Sequence, residues 1–231
     1  MSTVLYYYQW KPEVDTVNKF FRDTVSGLMH LGGVAAALVG TIVLVIKAAN
    51  SPDAVVLHLA AFLLFSLSLI LLYTASSVYH LVKGPENLIK ALRKVDHSMI
   101  FVLIAGTYTP IALLSMTGTM KWIYLIGIWA LALFGVLYKV FIMKGPRWLT
   151  VAIYILMGWS AVFGIQTLYS AIGFNGIFWL LLGGVFYSAG AIIYALKKPN
   201  PSKNFGFHEI FHVFCLLGSL SHYWMILKFI N

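Results

Sequence analysis

Charged residues are scarce in this sequence, and cysteine is almost absent. Charged residues make up 10% of the 231 positions and hydrophobic residues 61%, whereas a soluble domain has about 25% charged residues. This composition excludes an ordinary soluble protein and predicts an integral membrane protein. Cys215 is the one cysteine, so no disulfide can form within the chain. The net charge of +9 does not indicate nucleic-acid binding, because basic residues in a membrane protein mark one side of the membrane.

Seven apolar runs account for most of the chain. A helix needs about 20 apolar residues to cross a bilayer, with a range of about 17–25, and each run is of this length or longer. The runs are Val25–Ile46, Ala54–Val82, Ser98–Met116, Trp122–Tyr138, Trp148–Ile172, Phe174–Leu196 and Phe205–Leu227. We therefore predict an all-α integral membrane protein, with a bundle of seven transmembrane helices at residues 25–231. A tight turn is expected at Gly173, where the fifth and sixth runs are nearly continuous.

The first 24 residues form a separate N-terminal segment in this prediction. No apolar core opens the chain, so no cleavable signal peptide is expected. Apolar residues recur at helical spacing at Val14, Val17, Phe20 and Phe21, which is typical of a short amphipathic helix on the membrane surface. We predict such an interfacial helix within 1–24, with a disordered tail as the alternative.

Basic residues are distributed unevenly between the two sides of the predicted bundle. Lys47, Lys121 and Lys228 lie on one side, and the other 13 of the 16 Lys and Arg residues lie on the side of the N-terminus. Loops on the cytoplasmic side of membrane proteins carry an excess of Lys and Arg. The distribution therefore predicts a cytoplasmic N-terminus and a C-terminus outside. A basic interfacial helix is also predicted at 83–95, with a solvated loop as the alternative.

An H-E-x-x-H pattern at 208–212 opens the last apolar run. Two histidines at i and i+4 lie on one helix face, and two neutral imidazoles so placed can bind one metal ion, usually zinc. In the predicted topology, His80 at the end of the second run reaches the same membrane level. Catalytic zinc usually has three protein ligands and an open position for water. We therefore predict a zinc site formed by His80, His208 and His212.

Further polar residues lie at this level of the predicted bundle. Asp96 is expected to hydrogen-bond the bound water and to act as general base. Ser76 lies one turn from His80 on the same face and is expected to hydrogen-bond a substrate oxyanion, unless its hydroxyl bonds the carbonyl four residues back. Glu209 is either a base, as in zinc proteases, or a residue facing the headgroups. His30 is expected to be a packing residue rather than a contact of the site. The remaining histidines fit the site less well by depth or helix face: His58, His97 and His222.

Four short motifs occur in order along these runs. They are SSVYH at 76–80, VDHSMIF at 95–101, GTYTP at 106–110 and HEIFH at 208–212. Together they resemble the hemolysin III family, the bacterial branch of the progestin and adiponectin receptor family. The resemblance covers essentially the whole chain from the first run to the last.

This resemblance implies a seven-helix bundle in the bacterial plasma membrane with a cytoplasmic N-terminus. It also implies zinc held by three histidines near the inner membrane surface, carried onto His80, His208 and His212, with Asp96 beside the bound water. Ser76 matches the serine of a wider superfamily of membrane metal-dependent hydrolases, which includes alkaline ceramidases. Receptor members commonly have Gln at the position of Glu209, which argues against a protease-like role for that residue.

Four functions are compatible with these patterns. The leading hypothesis is an intramembrane zinc hydrolase of lipid amides or esters, similar to a ceramidase, whose substrate enters from the lipid bilayer. The second is a non-enzymatic receptor or membrane-stress regulator with structural zinc. The third is a pore-forming cytolysin, which the family name suggests but for which no run carries the polar stripe of a wide lumen. The fourth, an intramembrane protease, rests on the H-E-x-x-H pattern alone. No nucleic-acid partner is expected, and the sequence indicates no particular protein partner.

Overall fold

The computed structural model of the chain describes residues 21–51, 54–141, 147–202 and 205–230. These residues form helices and connecting turns, with no strand among them. The helices are α1 (Thr24–Ala49), α2 (Val55–Leu81), α3 (Glu86–Ser115), α4 (Gly118–Phe141), α5 (Arg147–Gly158), α6 (Ile165–Leu196) and α7 (Phe207–Phe229), with a 3₁₀ turn (Trp159–Gly164) between α5 and α6. The predicted all-α fold is confirmed. The interfacial helix predicted within 1–24 lies outside the described residues, except for its last four positions.

Six helical stretches in the described chain are long and apolar enough to cross a membrane. Five of them are α1, α2, α3, α4 and α7, and the sixth is the 49-residue stretch Trp148–Leu196 that contains α5 and α6. The seven sequence runs therefore correspond to six stretches, because the fifth and sixth runs share the last one. Gly173 interrupts its helical geometry with φ 65° and ψ −178°, a conformation that glycine alone adopts at little cost. The break lies at the position where the sequence predicts a turn.

Local sequence signals explain where three of the helices begin. Asp23 caps the start of α1 by accepting a hydrogen bond from the backbone N–H of Ser26 at 3.3 Å, as an N-cap residue does. Pro85 stands directly before α3, where its missing N–H costs nothing. Gly118 has a φ of 59° and forms the tight connection from α3 to α4.

Helix α3 begins earlier than its apolar run. The run starts at Ser98, but the helix starts at Glu86 and continues unbroken for 30 residues. The predicted interfacial helix at 83–95 is therefore the first part of α3 rather than a separate element. As a consequence, Asp96 lies inside a continuous helix, well before its middle, and its direction is fixed by the rest of α3.

The helices pack mostly against their sequence neighbours, and α1 also contacts α7. Pairs α1–α2, α2–α3, α3–α4 and α6–α7 form the main interfaces. The contact between α1 and α7 brings the first and last helices of the described chain together. This closure places the last turn of α2 and the first turns of α1 and α7 at the same end of the bundle.

Tyr108 joins α3 to the 3₁₀ turn. Its hydroxyl donates to the carbonyl of Gly158 at 2.8 Å and accepts from the backbone N–H of Ala161 at 2.6 Å. These backbone groups lie where helical hydrogen bonding changes from α to 3₁₀, so a side chain from α3 satisfies groups that the helix leaves free. The tyrosine of the GTYTP motif therefore has a structural role in the bundle.

Candidate metal centre

Three imidazole rings meet at the end of the bundle where α2 ends and α7 begins. Nε2 of His208 lies 3.2 Å from Nε2 of His80 and 3.0 Å from Nε2 of His212. The possible ligand atoms of all three lie within 4.8 Å of one another. Two nitrogens bound to tetrahedral zinc at 2.0–2.1 Å are about 3.4 Å apart, so the observed separations fit a shared metal ion. The three histidines predicted from the sequence could hold one metal ion, and their neutral nitrogens suit zinc, copper, iron or nickel.

His80 is oriented by a carboxylate from the start of α1. Its Nδ1 donates to Oδ2 of Asp23 at 2.7 Å, and the ring is 1% exposed. With Nδ1 protonated, the lone pair of Nε2 faces the other two histidines, as a metal ligand requires. Burial acts to raise the pKa of Asp23. The hydrogen bond and the charge interaction with His80 outweigh this effect, so the pKa lies below its usual value. Asp23 is therefore ionised at neutral pH and holds His80 in its metal-binding tautomer.

His212 has a comparable support from α1. Its Nδ1 lies 2.7 Å from Nε2 of His30, and both rings are almost fully buried. If Nδ1 of His212 donates this bond, its Nε2 faces His208 with a free lone pair. The sequence favoured a packing role for His30, with a supporting contact at the site as the alternative. The structure instead places it in direct contact with a candidate ligand.

Both carboxylate oxygens of Glu209 accept hydrogen bonds from groups other than the three imidazoles. Oε1 accepts from the hydroxyl of Ser26 at 2.9 Å, and Oε2 accepts from the backbone N–H of Gly206 at 2.7 Å. The second bond forms a capping arrangement at the start of α7, and the first ties α7 to α1. Both sequence-based alternatives for Glu209, a protease-like base or a side chain facing the headgroups, differ from this linking role.

Ser76 and Asp96 line one cavity of about 330 Å³ together with His208 and His212. Ser76 is 2% exposed, and its hydroxyl makes no hydrogen bond to any other described residue. Thr107, by contrast, bonds the carbonyl four residues before it at 2.9 Å. The back-bonded alternative for Ser76 is therefore absent from this structure, and the hydroxyl is available to a molecule in the cavity.

A profile of the haemolysin-III related family matches residues 18–223. The chain belongs to the haemolysin III family. It is 34% identical over 206 residues to the Hemolysin-3 homolog of Bacillus subtilis (strain 168), covering 89% of this chain and 93% of that protein. It is also 32% identical over 215 residues to Hemolysin-3 of Bacillus cereus, covering 93% and 94% of the two chains.

A more distant relative comes from a plant. The chain is 30% identical over 176 residues to Heptahelical transmembrane protein 1 of Arabidopsis thaliana, covering 68% of this chain and 52% of the plant protein. The family resemblance found in the sequence motifs is thus confirmed. With its six apolar helical stretches, this haemolysin III protein is a multi-pass membrane protein of the bacterial plasma membrane.

The cavity of this haemolysin III protein is long and mostly apolar. Its apolar lining includes Leu72, Ile100, Ile104, Ile155 and Phe211. It reaches from His212 to His222 on α7, a distance of about 15 Å along a helix that rises 1.5 Å per residue. Such a shape suits an alkyl chain whose polar end lies next to the histidines.

His97 is closer to the site than the sequence predicted. A helical step of about 100° was expected to turn it away from Asp96, yet its Nδ1 lies 3.2 Å from Oδ2 of Asp96, although without hydrogen-bond geometry. Its ring also lines the cavity. The hydroxyl of Tyr154 donates to the carbonyl of His97 at 2.7 Å, which connects this part of α3 to α5.

Proposed function

We propose that this protein is an intramembrane zinc hydrolase that cleaves amide or ester bonds in lipids. The observation that supports the proposal is one cavity that combines an apolar body with Ser76, Asp96 and two of the three clustered histidines. Three histidines with an open position form a known ligand set of catalytic zinc, which favours zinc among the metals that imidazole suits. The apolar lining favours a lipid over a water-soluble metabolite as substrate.

Each polar residue has a separate role in the proposed reaction. Zinc, when bound by His80, His208 and His212, would supply Lewis-acid polarisation and an acidified water. Asp96 orients the attacking water and takes its proton as the new C–O bond forms at the carbonyl carbon. Ser76 donates a hydrogen bond to the oxygen on which negative charge develops. Asp96 returns the proton to the leaving nitrogen or oxygen as the original bond breaks.

We also propose that the chain crosses the membrane seven times, with residues 1–24 as a separate cytoplasmic segment. A straight helix over Trp148–Leu196 would be about 74 Å long, more than twice the roughly 30 Å of a hydrocarbon core. The break at Gly173 divides this stretch into two lengths that are each long enough to span a bilayer. The plant relative carries the name heptahelical, which agrees with this count.

The proposed topology can be tested with reporter fusions. A fusion after residue 200 is expected to report the cytoplasm, and a fusion at the C-terminus is expected to report the outside, because the positive-inside rule orients the basic loops. A fusion at Gly173 is expected to report the outside. A cytoplasmic signal from both Gly173 and the C-terminus would refute the seven-crossing arrangement.

The proposed activity can be tested by a hydrolysis screen on purified protein, using lipid amides and esters with an Asp96→Ala variant beside the wild type. The variant is expected to keep its metal, because Asp96 is not one of the three candidate metal ligands. It is expected to lose about 10²- to 10⁴-fold in turnover, the usual contribution of a general base. Glu86→Ala is the matched control, because Glu86 lies on the same helix and pairs with exposed Lys90. An Asp96→Ala protein with full activity in cells would favour a receptor over a hydrolase.

Membrane lysis is a second candidate because one relative is named Hemolysin-3 and another Hemolysin-3 homolog. Purified protein added to dye-filled liposomes would release the dye if this chain were a cytolysin. The hydrolase proposal expects no release beyond that caused by a detergent-matched blank.

A further inference from the structure

Three basic side chains line the same cavity as the candidate metal centre. Arg93 and Lys94 come from α3, and Lys139 comes from the end of α4. Asp96 is the one carboxylate among the described residues that line this cavity. The lining therefore carries an excess of positive charge, even with every histidine neutral.

None of these three cations pairs with a carboxylate in the described chain. Lys139 donates through Nζ to the hydroxyl of Thr150 at 2.8 Å, and Lys94 donates to the carbonyl of Val140 at 2.9 Å. Both partners are neutral, so neither compensates the charge of the ammonium group. Lys94 and Lys139 are partly buried, whereas Arg93 is exposed. Partly buried cations beside an apolar wall attract an anion more strongly than the same cations in water.

The cations lie at one end of the cavity. Arg93 precedes Asp96 by three residues on α3, which places it about one helical turn nearer the start of that helix. The opposite end of the cavity is lined by Trp159, Tyr187 and His222. The cavity thus has a cationic end next to the candidate metal centre and a less polar end deeper in the bundle.

We propose that this cavity binds an amphiphile with an anionic phosphate head, held by Arg93, Lys94 and Lys139. Its alkyl chain would extend along α7 toward His222. Charge-assisted hydrogen bonds from Arg and Lys are the usual means by which proteins bind phosphate. This inference rests on the proposed function and deepens it by naming a substrate class. A phosphate head bound at Arg93 would place the neighbouring bonds of the amphiphile within about one helical turn, roughly 5 Å, of the proposed base Asp96.

Equilibrium binding of radiolabelled dodecyl phosphate tests this proposal without any turnover. Metal-loaded protein in nanodiscs of zwitterionic lipid is used, with the signal of empty nanodiscs subtracted. We expect Lys139→Gln to weaken binding about tenfold, and Arg93→Gln combined with Lys139→Gln to weaken it about a hundredfold, the usual range for hydrogen bonds to charged groups. Lys90→Gln is the matched control, because Lys90 is exposed on the same helix and pairs with Glu86.

Further arms identify the ligand and separate this inference from the hydrolase proposal. Inorganic phosphate and 1-dodecanol are each expected to bind at least tenfold more weakly than dodecyl phosphate. Equal binding of inorganic phosphate would indicate a free-phosphate site, and equal binding of 1-dodecanol would remove the anionic head from the proposal. Removal of the metal by a chelator should abolish hydrolysis, and Asp96→Ala should lower it about 10²- to 10⁴-fold. Neither change should weaken the binding of dodecyl phosphate by more than about threefold.

Structural damage is distinguished by a conservative variant. Lys139→Arg keeps the charge, and its affinity for dodecyl phosphate is expected to lie within about threefold of the wild-type value. A folding defect would instead weaken binding in both Lys139→Gln and Lys139→Arg. Circular dichroism and gel filtration establish that each variant is helical and monodisperse. An equal loss of affinity in Lys90→Gln, or a loss on chelation alone with no effect of Lys139→Gln, would overturn the proposal.

Discussion

Polar side chains have different hydrogen-bond partners at the two ends of the helix bundle. At the end with the candidate metal centre, polar side chains from α1, α2 and α7 contact one another, as in the bonds of His80 to Asp23 and of His212 to His30. At the opposite end, polar side chains bond backbone carbonyls. Lys47 donates to the carbonyls of Ile226, Leu227 and Ile230, which closes the last turn of α7.

This difference separates a candidate site from a structural contact. A polar group is costly inside a membrane protein unless it has partners, and helix ends supply free carbonyls as partners. Lys47 bonds carbonyls at the end of α7, and Nδ1 of His58 lies 2.9 Å from the carbonyl of Ala54. The imidazoles of His80, His208 and His212 instead converge on each other beside a cavity, an arrangement that backbone satisfaction does not require.

The largest expected effect on the difference between the two ends comes from removing His208 and His212, the two candidate ligands on α7. His208→Ala combined with His212→Ala is expected to abolish metal binding, because one imidazole cannot retain the ion that three ligands hold. His58→Ala at the opposite end is the matched control and should keep the wild-type metal content. Metal per chain is measured by inductively coupled plasma mass spectrometry after gel filtration. Full metal content in the double variant would show that the metal lies elsewhere.

Ser76 and Ser77 allow a site residue to be compared with a structural residue within one turn of α2. Ser77 donates to the carbonyl of Gly27 at 3.0 Å, whereas Ser76 lines the cavity. Ser76→Ala is expected to lower the turnover of a lipid amide on the order of a hundredfold, as the loss of an oxyanion donor does. Ser77→Ala should leave turnover within about threefold but lower thermal stability, because it removes a buried contact between helices. Equal turnover in the two variants would contradict the proposed role of Ser76.

The sequence predicted the parts of this structure that local patterns determine. The long apolar runs indicated membrane helices, and the depth of His80 relative to His208 and His212 indicated that the three would meet. The start of α3 was misplaced because charged residues lower the hydropathy of 86–97, although the helix continues through them.

The supporting contacts of the metal centre were not predictable in the same way. Asp23 and His80 are 57 positions apart, and His30 and His212 are 182 positions apart. Such contacts depend on how α1 packs between α2 and α7, which periodicity within one segment does not report. An N-cap aspartate directly before an apolar run was the one signal that could have drawn attention to Asp23.

Asp23 gives a finer test of the end that holds the metal centre. Asp23→Asn keeps the size of the side chain but removes the charge that fixes the tautomer of His80, and comparable substitutions near metal ligands cost about 10- to 100-fold in metal affinity. Affinity is measured by competition with a chelating dye. Glu209→Gln removes a nearby charge that bonds Ser26 and Gly206 rather than a histidine, and it should change affinity less than threefold. A similar loss in both variants would mean that general electrostatics, rather than the bond to His80, supports the site.

Lys47 gives the smallest expected effect and tests the opposite end. Lys47→Met keeps the apolar stem but removes the cation that binds the last carbonyls of α7, where a positive charge also interacts favourably with the helix dipole. Hydrogen bonds to a charged group contribute about 1.5–3 kcal/mol, and their loss lowers the melting temperature of a chain of this size by about 3–12 °C. Metal content and turnover should remain at wild-type values, because α7 is held at its other end by Glu209 and Ser26. A loss of metal in Lys47→Met would show that the two ends of the bundle are coupled through α7, and the distinction between a structural end and a functional end would then fail.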